Sequence, residues 1–261
     1  DYKDNIGHLS LLILSFFPLS FFYHSMYSDS LFLLSSVTSF YFARRGNWLL
    51  AGLFGGLTTL TRVAGLALLP ALLVEWCVQN QKTLKDWKHV LIVFWEKCFS
   101  ALCLTLLGFL AYLLYLQFTY GDFLLFQKSM IAWRQNEFTF PPQVVFRYLK
   151  IFLFVDHGLL VYWVALLEFI SMVCYFALTY YVGKKIRLSY AVLMFFVLLL
   201  PTFTGTLAGM PRYILHAFPA FIGLALLFYK SNNFIRFGVM IFSLLLGFIL
   251  TGLFTRGYFV A

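Results

Sequence analysis

Hydrophobic residues follow one another in long, unbroken runs along this chain, and short polar segments separate the runs. The runs lack the period-two alternation that is typical of membrane barrel strands, so each of them predicts a helix. A helix needs about 20 apolar residues to cross a bilayer, or fewer where it is tilted or re-entrant. The sequence predicts nine membrane helices, near 6–24, 30–43, 47–61, 64–78, 94–118, 157–182, 188–205, 212–229 and 236–255. Within the third run, Gly52, Gly55 and Gly56 would permit close approach of a neighbouring helix.

Composition agrees with a membrane location, because 62% of the residues are hydrophobic and only 11% are charged. A soluble domain of 261 residues needs a charged surface, which this chain cannot supply. We therefore expect an all-α, polytopic helical membrane protein that forms a single transmembrane domain over residues 1–261. A signal peptide is not expected, since the first four residues are acidic and polar instead of a basic n-region.

The basic residues indicate which side of the membrane each loop faces. The net charge of +9 comes from residues in short loops between the runs, which is the pattern of membrane topology and not of nucleic-acid binding. Nine crossings place every basic inter-helix cluster in the cytoplasm. These clusters contain Arg44, Arg45, Lys82, Lys85, Lys88, Lys184, Lys185, Arg187, Lys230 and Arg236. The exoplasmic face then holds residues 27–30, Arg62, residues 119–157, residues 205–212 and the C-terminal tail.

Asp29 lies in a short polar segment, residues 27–30, directly between two apolar runs. A carboxylate is costly in such a place and suggests a function, although an ordinary polar loop at the membrane face would look the same. A carboxylate facing several cations suits a reaction with a phosphate leaving group. Each cation could equally be a snorkelling anchor or a partner of lipid headgroups. The exoplasmic polar residues are Tyr27, Ser28, Asp29, Arg62, Lys128, Arg134, Arg147, Lys150, His157, Arg212 and Tyr213.

The longest segment outside the predicted helices, about 119–157, has an amphipathic first half with Trp133 and Arg134 at its end. Its apolar residues recur at helical spacing, which predicts a helix in the interface that Pro141 and Pro142 end. This segment could hold a long-chain lipid phosphate, or it could be an aromatic belt and nothing more.

Glu168 lies near the middle of a predicted span, and such carboxylates occur in proton-coupled transporters. A neutral Glu168 that is hydrogen-bonded to a neighbouring helix is the simpler interpretation. Gly-rich phosphate loops, nucleophile elbows and zinc motifs are absent from the sequence, so no metal and no cofactor is expected. We expect the four cysteines, which lie in or beside apolar runs, to be reduced packing residues.

Five short motifs follow one another along the chain: Phe17-Pro18 with Phe21-Phe22 and residues 27–32; Leu60-Thr61-Arg62; Gly121-Asp122 with Phe126 and Trp133; Pro211-Arg212-Tyr213; and residues 253–260. In this order they resemble the motifs of PIG-V-type mannosyltransferases, which are polytopic enzymes of the GT-C class. The resemblance covers nearly the whole chain, and Asp29 stands where that family usually has Glu. The family's Trp-Asp element, whose Asp is the presumed catalytic base, would lie upstream of Asp1, so the chain resembles the C-terminal portion of such an enzyme.

The resemblance implies transfer of mannose, with inversion, from a polyprenyl- or dolichyl-phosphate sugar to a lipid-linked acceptor. The acceptor would be a GPI-anchor precursor, modified by an α-1,6-mannosyltransferase in the endoplasmic reticulum, or the substrate of a prokaryotic relative in the plasma membrane. The active face would be luminal or exoplasmic. Arg212 and Arg62 would hold the donor phosphate, while Asp29 and Tyr27 would orient the acceptor or assist the base. Ser28, Trp133, Arg134 and Tyr213 complete the candidate substrate-binding residues.

Two other functions stay open on the sequence alone. A transporter or flippase of lipid-linked glycans predicts inverted repeats and charged residues in mid-helix, and Glu168 is the feature that favours it. A non-catalytic subunit of a membrane glycosyltransferase complex, or an enzyme with a small membrane partner subunit, is the third possibility.

Overall fold

The computed structural model describes residues 4–81, 93–129 and 139–258, and every regular element in these ranges is helical. Short 3-10 turns lie at Ser20–Tyr23, Val63–Ala67, Leu200–Phe203 and Ile214–His216, and a π-helical turn at Phe94–Cys98 leads into the fifth helix. The α-helices are α1 (Asp4–Ser15), α2 (Asp29–Arg44), α3 (Trp48–Thr61), α4 (Leu68–Gln79), α5 (Phe99–Tyr120), α6 (Leu125–Ser129), α7 (Pro141–Phe154), α8 (Leu160–Lys185), α9 (Leu188–Leu199), α10 (Met210–Tyr213), α11 (Pro219–Tyr229) and α12 (Asn233–Thr255).

Three helices, α5, α8 and α12, are long and apolar enough to cross a membrane. The bent pair Met210–His216 and Pro219–Tyr229 would make a fourth crossing if the two parts are counted as one. Large apolar side chains cover the outward faces of the long helices, for example Leu114, Val161 and Phe242. The predicted all-helical class is therefore confirmed for the residues described. The nine crossings stay a prediction, since the other apolar helices have 10–17 residues.

Two predicted helices are interrupted. The expected helix over 6–24 ends at Ser15 and resumes as a 3-10 turn only at Ser20, beyond Pro18, which has no N–H to continue the helix. The expected helix over 212–229 is divided by a bend of 90° that lies just before Pro219. The two breaks are in contact, because the Tyr23 hydroxyl donates a hydrogen bond to the Leu215 carbonyl over 2.8 Å.

The glycines of α3 allow it to pack backbone-to-backbone against α5. A methyl group built on Gly52 would lie 2.6 Å from Ala101 Cα, and one on Gly56 would lie 2.8 Å from the Leu104 carbonyl oxygen. Both distances are shorter than van der Waals contact, so only glycine fits. The close helix approach that the sequence predicts is confirmed.

A second carboxylate, Glu75 on α4, is buried near the end of α2 that lies opposite Asp29. It accepts hydrogen bonds from Arg187 Nε and Nη2 at 2.7 and 2.6 Å and from the Ser189 hydroxyl at 2.6 Å. Gln79 donates to it at 2.7 Å, and Arg44 Nε lies 4.0 Å away. Glu75 therefore joins α2 and α4 to the α8–α9 connection at the predicted cytoplasmic face. The predicted cytoplasmic lysines Lys82, Lys85 and Lys88 lie outside the described residues.

Glu75→Gln should lower the free energy of unfolding by about 2–3 kcal/mol, because it leaves the Arg187 guanidinium without its carboxylate in a partly buried place. The midpoint of thermal unfolding in detergent should fall by roughly 5–10 °C. Asp122→Asn is the matched control: Asp122 pairs with Lys128 on the surface, and such exposed pairs contribute little. Equal midpoints for Glu75→Gln and the wild type would contradict a stabilising role for this network.

Candidate functional site

The candidate site is built around Asp29, the first residue of α2, whose side chain is fully buried. Its Oδ2 accepts hydrogen bonds from Arg62 Nη2 at 3.0 Å and from Arg212 Nη2 at 2.8 Å. Its Oδ1 lies 2.9 Å from His216 Nε2 and 3.3 Å from Arg212 Nε. One carboxylate thus joins three segments that are far apart in the sequence.

Arg62 reaches Asp29 because the chain is extended between α3 and the following 3-10 turn, with φ −157° and ψ 146° at Arg62. The Ser28 hydroxyl lies 3.4 Å from Arg62 Nε, which donates to it, and 3.4 Å from the Thr61 carbonyl oxygen, to which it donates. The segment before α2 and the segment after α3 therefore hold each other at the same end of the molecule.

Arg212 is held by aromatic rings as well as by Asp29. Its guanidinium carbon lies 4.2 Å from the centroids of both the Phe22 and the Tyr27 rings. These two rings meet edge to face at 5.5 Å, so the guanidinium packs in the corner that they form. Such cation–π contacts add to the ion pair and fix the plane of the guanidinium. Phe254 of α12 packs on both rings, at 5.3 Å from Phe22 and 6.4 Å from Tyr27. The last membrane-length helix therefore supports the site.

The side chains of the cluster differ in their exposure to solvent. Asp29 has no exposed side-chain surface, whereas Arg62 and Arg212 are 22% and 19% exposed. A ligand from outside can reach the guanidiniums, but it cannot reach the carboxylate. Asp29 is therefore placed to position the two cations and not to react itself.

The charge of the cluster favours an anion. Burial on its own would raise the pKa of Asp29, but hydrogen bonds from His216 and Arg212 and the charge of Arg62 outweigh burial and hold that pKa well below its usual range. Asp29 is therefore ionised at neutral pH. Two guanidinium charges and one carboxylate leave a net charge of +1, with His216 counted as neutral.

His216 is a site residue that the sequence reasoning missed. It is fully buried and donates through Nε2, because an ionised carboxylate can only accept. Its other ring nitrogen, Nδ1, has no hydrogen-bond partner among the residues that the structure describes, which agrees with a neutral ring. The signal was present: His216 follows Arg212 by four residues inside a predicted apolar span, where an ionisable residue is itself a functional hint.

The segment that leads to Arg212 is held by α7. The Tyr148 hydroxyl donates to the Glu168 carboxylate and accepts from the Leu207 N–H at 2.9 Å. The neighbouring Arg147 donates to the Gly205 carbonyl at 3.0 Å. This arrangement confirms the expectation that Glu168 bonds to a neighbouring helix. Two adjacent residues of one helix thus restrain residues 205–207, a few residues before Arg212.

The structure brings together five of the predicted site residues, namely Tyr27, Ser28, Asp29, Arg62 and Arg212. A sixth, Tyr213, packs its ring 5.9 Å from that of His216 at the edge of the cluster. Trp133 and Arg134 lie outside the described residues.

Three other predicted exoplasmic cations have different partners. Lys128 pairs with Asp122, Arg147 binds the Gly205 carbonyl, and Lys150 lies over the Phe146 ring. The expected convergence of cations is therefore narrower than the sequence suggests. Pro141 begins α7, and the predicted end of the amphipathic helix before it falls among residues outside the described ranges.

Comparison with known proteins adds no relative, since no protein-family model, curated protein or solved structure matches this chain. Within the described part of the chain, no three His, Cys, Asp or Glu side chains come together as possible metal ligands. The resemblance to PIG-V-type enzymes therefore depends on the sequence motifs alone.

Asp29→Asn should destabilise the fold by about 3 kcal/mol, because two partly buried guanidiniums lose their counter-charge. The midpoint of thermal unfolding should fall by roughly 6–12 °C. A carboxyl with a depressed pKa stabilises the fold above its ordinary pKa, about 4, and loses that effect only as the pH falls below it. The difference between wild type and variant should therefore stay constant from pH 5 to pH 8. Asp156→Asn, at an exposed carboxylate, is the control; an Asp29→Asn midpoint as high as that control would refute the central role of Asp29.

Tyr148→Phe should loosen the segment before Arg212, since it removes the partner of both Glu168 and the Leu207 N–H. Hydrogen–deuterium exchange of residues 204–209 should become faster than in the wild type, and stability should fall by about 2 kcal/mol. Tyr180→Phe removes a hydroxyl from an exposed position on α8 and should change neither quantity. Unchanged exchange in the Tyr148→Phe protein would show that the hydroxyl does not restrain the segment.

Proposed function

We propose that this protein is a membrane glycosyltransferase that uses a lipid-phosphate-linked sugar as its donor. The observation that carries the proposal is the pair of partly exposed guanidiniums, Arg62 and Arg212, held side by side on one buried carboxylate. Guanidinium groups bind phosphate oxygens through paired hydrogen bonds, and this geometry is fixed before any ligand arrives. The net charge of +1 suits an anionic phosphate.

In the proposed reaction, a hydroxyl of the acceptor forms a bond to the anomeric carbon on the face opposite the phosphate. The bond between that carbon and the phosphate oxygen breaks, and the lipid phosphate leaves with the electron pair. Arg62 and Arg212 stabilise the charge that develops on the leaving oxygen. The hydroxyl proton passes to a carboxylate base, as the family resemblance implies. Asp29 serves as a positioning residue for the two arginines.

The identity of the sugar and of the lipids follows from the motif resemblance. It favours mannose carried on a polyprenyl or dolichyl phosphate and a lipid-linked acceptor of the GPI-anchor type or its prokaryotic counterpart. The protein would act at the exoplasmic or luminal face of the plasma membrane or endoplasmic reticulum, alone or with a small membrane subunit.

We also propose that the short helices cross the membrane, so that the chain makes nine crossings in a GT-C-like arrangement. Support comes from α2, which has Asp29 at its first residue and Arg44, beside Glu75, at its last. Sixteen helical residues span about 24 Å, which is most of the roughly 30 Å thickness of the hydrocarbon core. The two buried ionic clusters would then lie near the two membrane interfaces.

The transport alternative has less support. Glu168, the feature that favours it, is buried and bound to the Tyr148 hydroxyl. Its contact with Tyr148 joins α8 to α7, so a structural role accounts for this buried carboxylate without proton transfer. Loss of function in Glu168→Gln, with Asp29→Asn still active, would nevertheless favour a transporter.

Arg212→Ala should weaken binding of a long-chain isoprenyl monophosphate about tenfold to a hundredfold, because it removes a charge-assisted hydrogen-bond donor. Transfer of mannose from its polyprenyl-phosphate carrier should be lost in membranes that contain the full-length protein. Titration of the purified protein in detergent with the labelled isoprenyl phosphate measures the change in binding.

Arg256→Ala is the matched control, since Arg256 is an exposed arginine at the same predicted face that ends α12. It should bind the isoprenyl phosphate like the wild type. An Arg212→Ala protein that elutes as a folded monodisperse species and binds as tightly as this control would remove Arg212 from the donor site.

A further inference from the structure

An apolar cavity of 620 Å³ lies beside the Asp29 cluster, between α1, α2 and the start of α11. Its volume is within the range of ordinary ligand sites. Leu14 of α1, Leu33 of α2 and Phe221 of α11 form its inner wall. Ser30, which follows Asp29 directly, lines the same cavity.

The cavity opens sideways, towards the surface that would face lipid. Leu11 and Leu34 line it and are 61% and 64% exposed, and Val37 lines it and is 40% exposed. From Ser30 to Val37 the wall runs along seven residues of α2, a depth of about 10 Å. The opening is therefore a slot between α1 and α2 that extends from the predicted exoplasmic end towards the middle of the membrane.

Most polar groups of the slot lie at one end. Ser20, Tyr23, His24 and Ser30 surround that end, and the Tyr23 hydroxyl is fixed by its bond to the Leu215 carbonyl. Two further serines, Ser10 and Ser15, line the slot along α1, and their hydroxyls are bound to carbonyls of the same helix. Ser28 and Ser30 flank Asp29 in the chain: Ser28 contacts Arg62, while Ser30 lines the slot. Ser28 therefore borders the arginine site and Ser30 borders the polar end of the slot, with Asp29 between them in the chain.

From this arrangement we infer that the slot between α1 and α2 is a binding site for the hydrocarbon chain of a lipid monophosphate whose head is held by Arg62 and Arg212. The inference rests on the proposed function and adds the place where the lipid chain enters and lies. A lipid monophosphate has an anionic head followed by an apolar chain. The protein offers a net-positive cluster for the head and the apolar slot for the chain. A chain lying there could enter from the bilayer without leaving apolar surroundings.

The test compares a long-chain isoprenyl monophosphate with the soluble isopentenyl monophosphate, which has the same head and almost no chain. Leu34→Trp and Val37→Trp fill the slot, and they should weaken binding of the long-chain compound about tenfold, as expected if some two methylene groups lose their burial. Binding of isopentenyl monophosphate should not change. Leu31→Trp, at an exposed position of α2 that does not line the slot, should bind both compounds like the wild type.

Photolabelling of the wild type tests the same inference without a substitution. A long-chain isoprenyl monophosphate with a diazirine in its chain should label peptides of α1 and α2. Labelling confined to the exposed faces of α5 or α12, or of another protein that covers the slot, would overturn the inference. So would unchanged long-chain binding in folded Leu34→Trp and Val37→Trp proteins.

The two proposals fail in different ways. If the slot is not the site but the proposed function holds, Arg212→Ala weakens binding of both phosphates while the tryptophan variants do not weaken binding of the long-chain one. If the proposed function fails, Arg212→Ala binds both phosphates like the wild type. The arginine cluster beside the slot is then not the site that binds the phosphate head.

Discussion

The ionised carboxylate of Asp29, buried at the start of α2, is the constraint on which the rest of the structure depends. Such a group is stable in apolar surroundings only when cations and hydrogen bonds surround it. Arg62 supplies one cation because the chain is extended after α3. The bend between α10 and α11 brings Arg212 and His216 to the same point. The breaks that sequence-based helix prediction misses are therefore the features that allow the carboxylate to be paired.

The pairing of Asp29 with Arg62 and Arg212 also explains how the cluster can bind an anion in addition to stabilising the fold. A single carboxylate cannot neutralise two guanidiniums, and the two adjoining aromatic rings that pack against Arg212 hold it in place without neutralising it. The buried side of each guanidinium is occupied and the outer side is free to meet a ligand. The second ionic network, around Glu75, also joins one buried carboxylate to two partly exposed arginines, Arg187 and Arg44. It differs in that Ser189 and Gln79 add neutral donors to the carboxylate, and it lies at the opposite end of α2.

The coarse fold was predictable from the sequence because long apolar runs have few alternatives to helices, and the close contact of α3 with α5 followed from the glycines near Gly52. The helix breaks were not predictable from the sequence, because Pro18 and Pro219 are compatible with continuous membrane helices when neighbours satisfy the freed carbonyls. In the site, Asp29, Arg62 and Arg212 stood out as charges beside apolar runs. The pairing among them, the participation of His216 and the network around Glu75 depend on tertiary contacts between distant segments, which periodicity cannot reveal.

The most direct test of the central claim is an experimental structure of the full-length protein in lipid nanodiscs with a long-chain isoprenyl monophosphate. The account predicts density for the phosphate within hydrogen-bond distance of both Arg62 and Arg212, with Asp29 still paired to them beneath it. A phosphate bound elsewhere on the molecule, or two arginines turned away from a bound lipid phosphate, would contradict it.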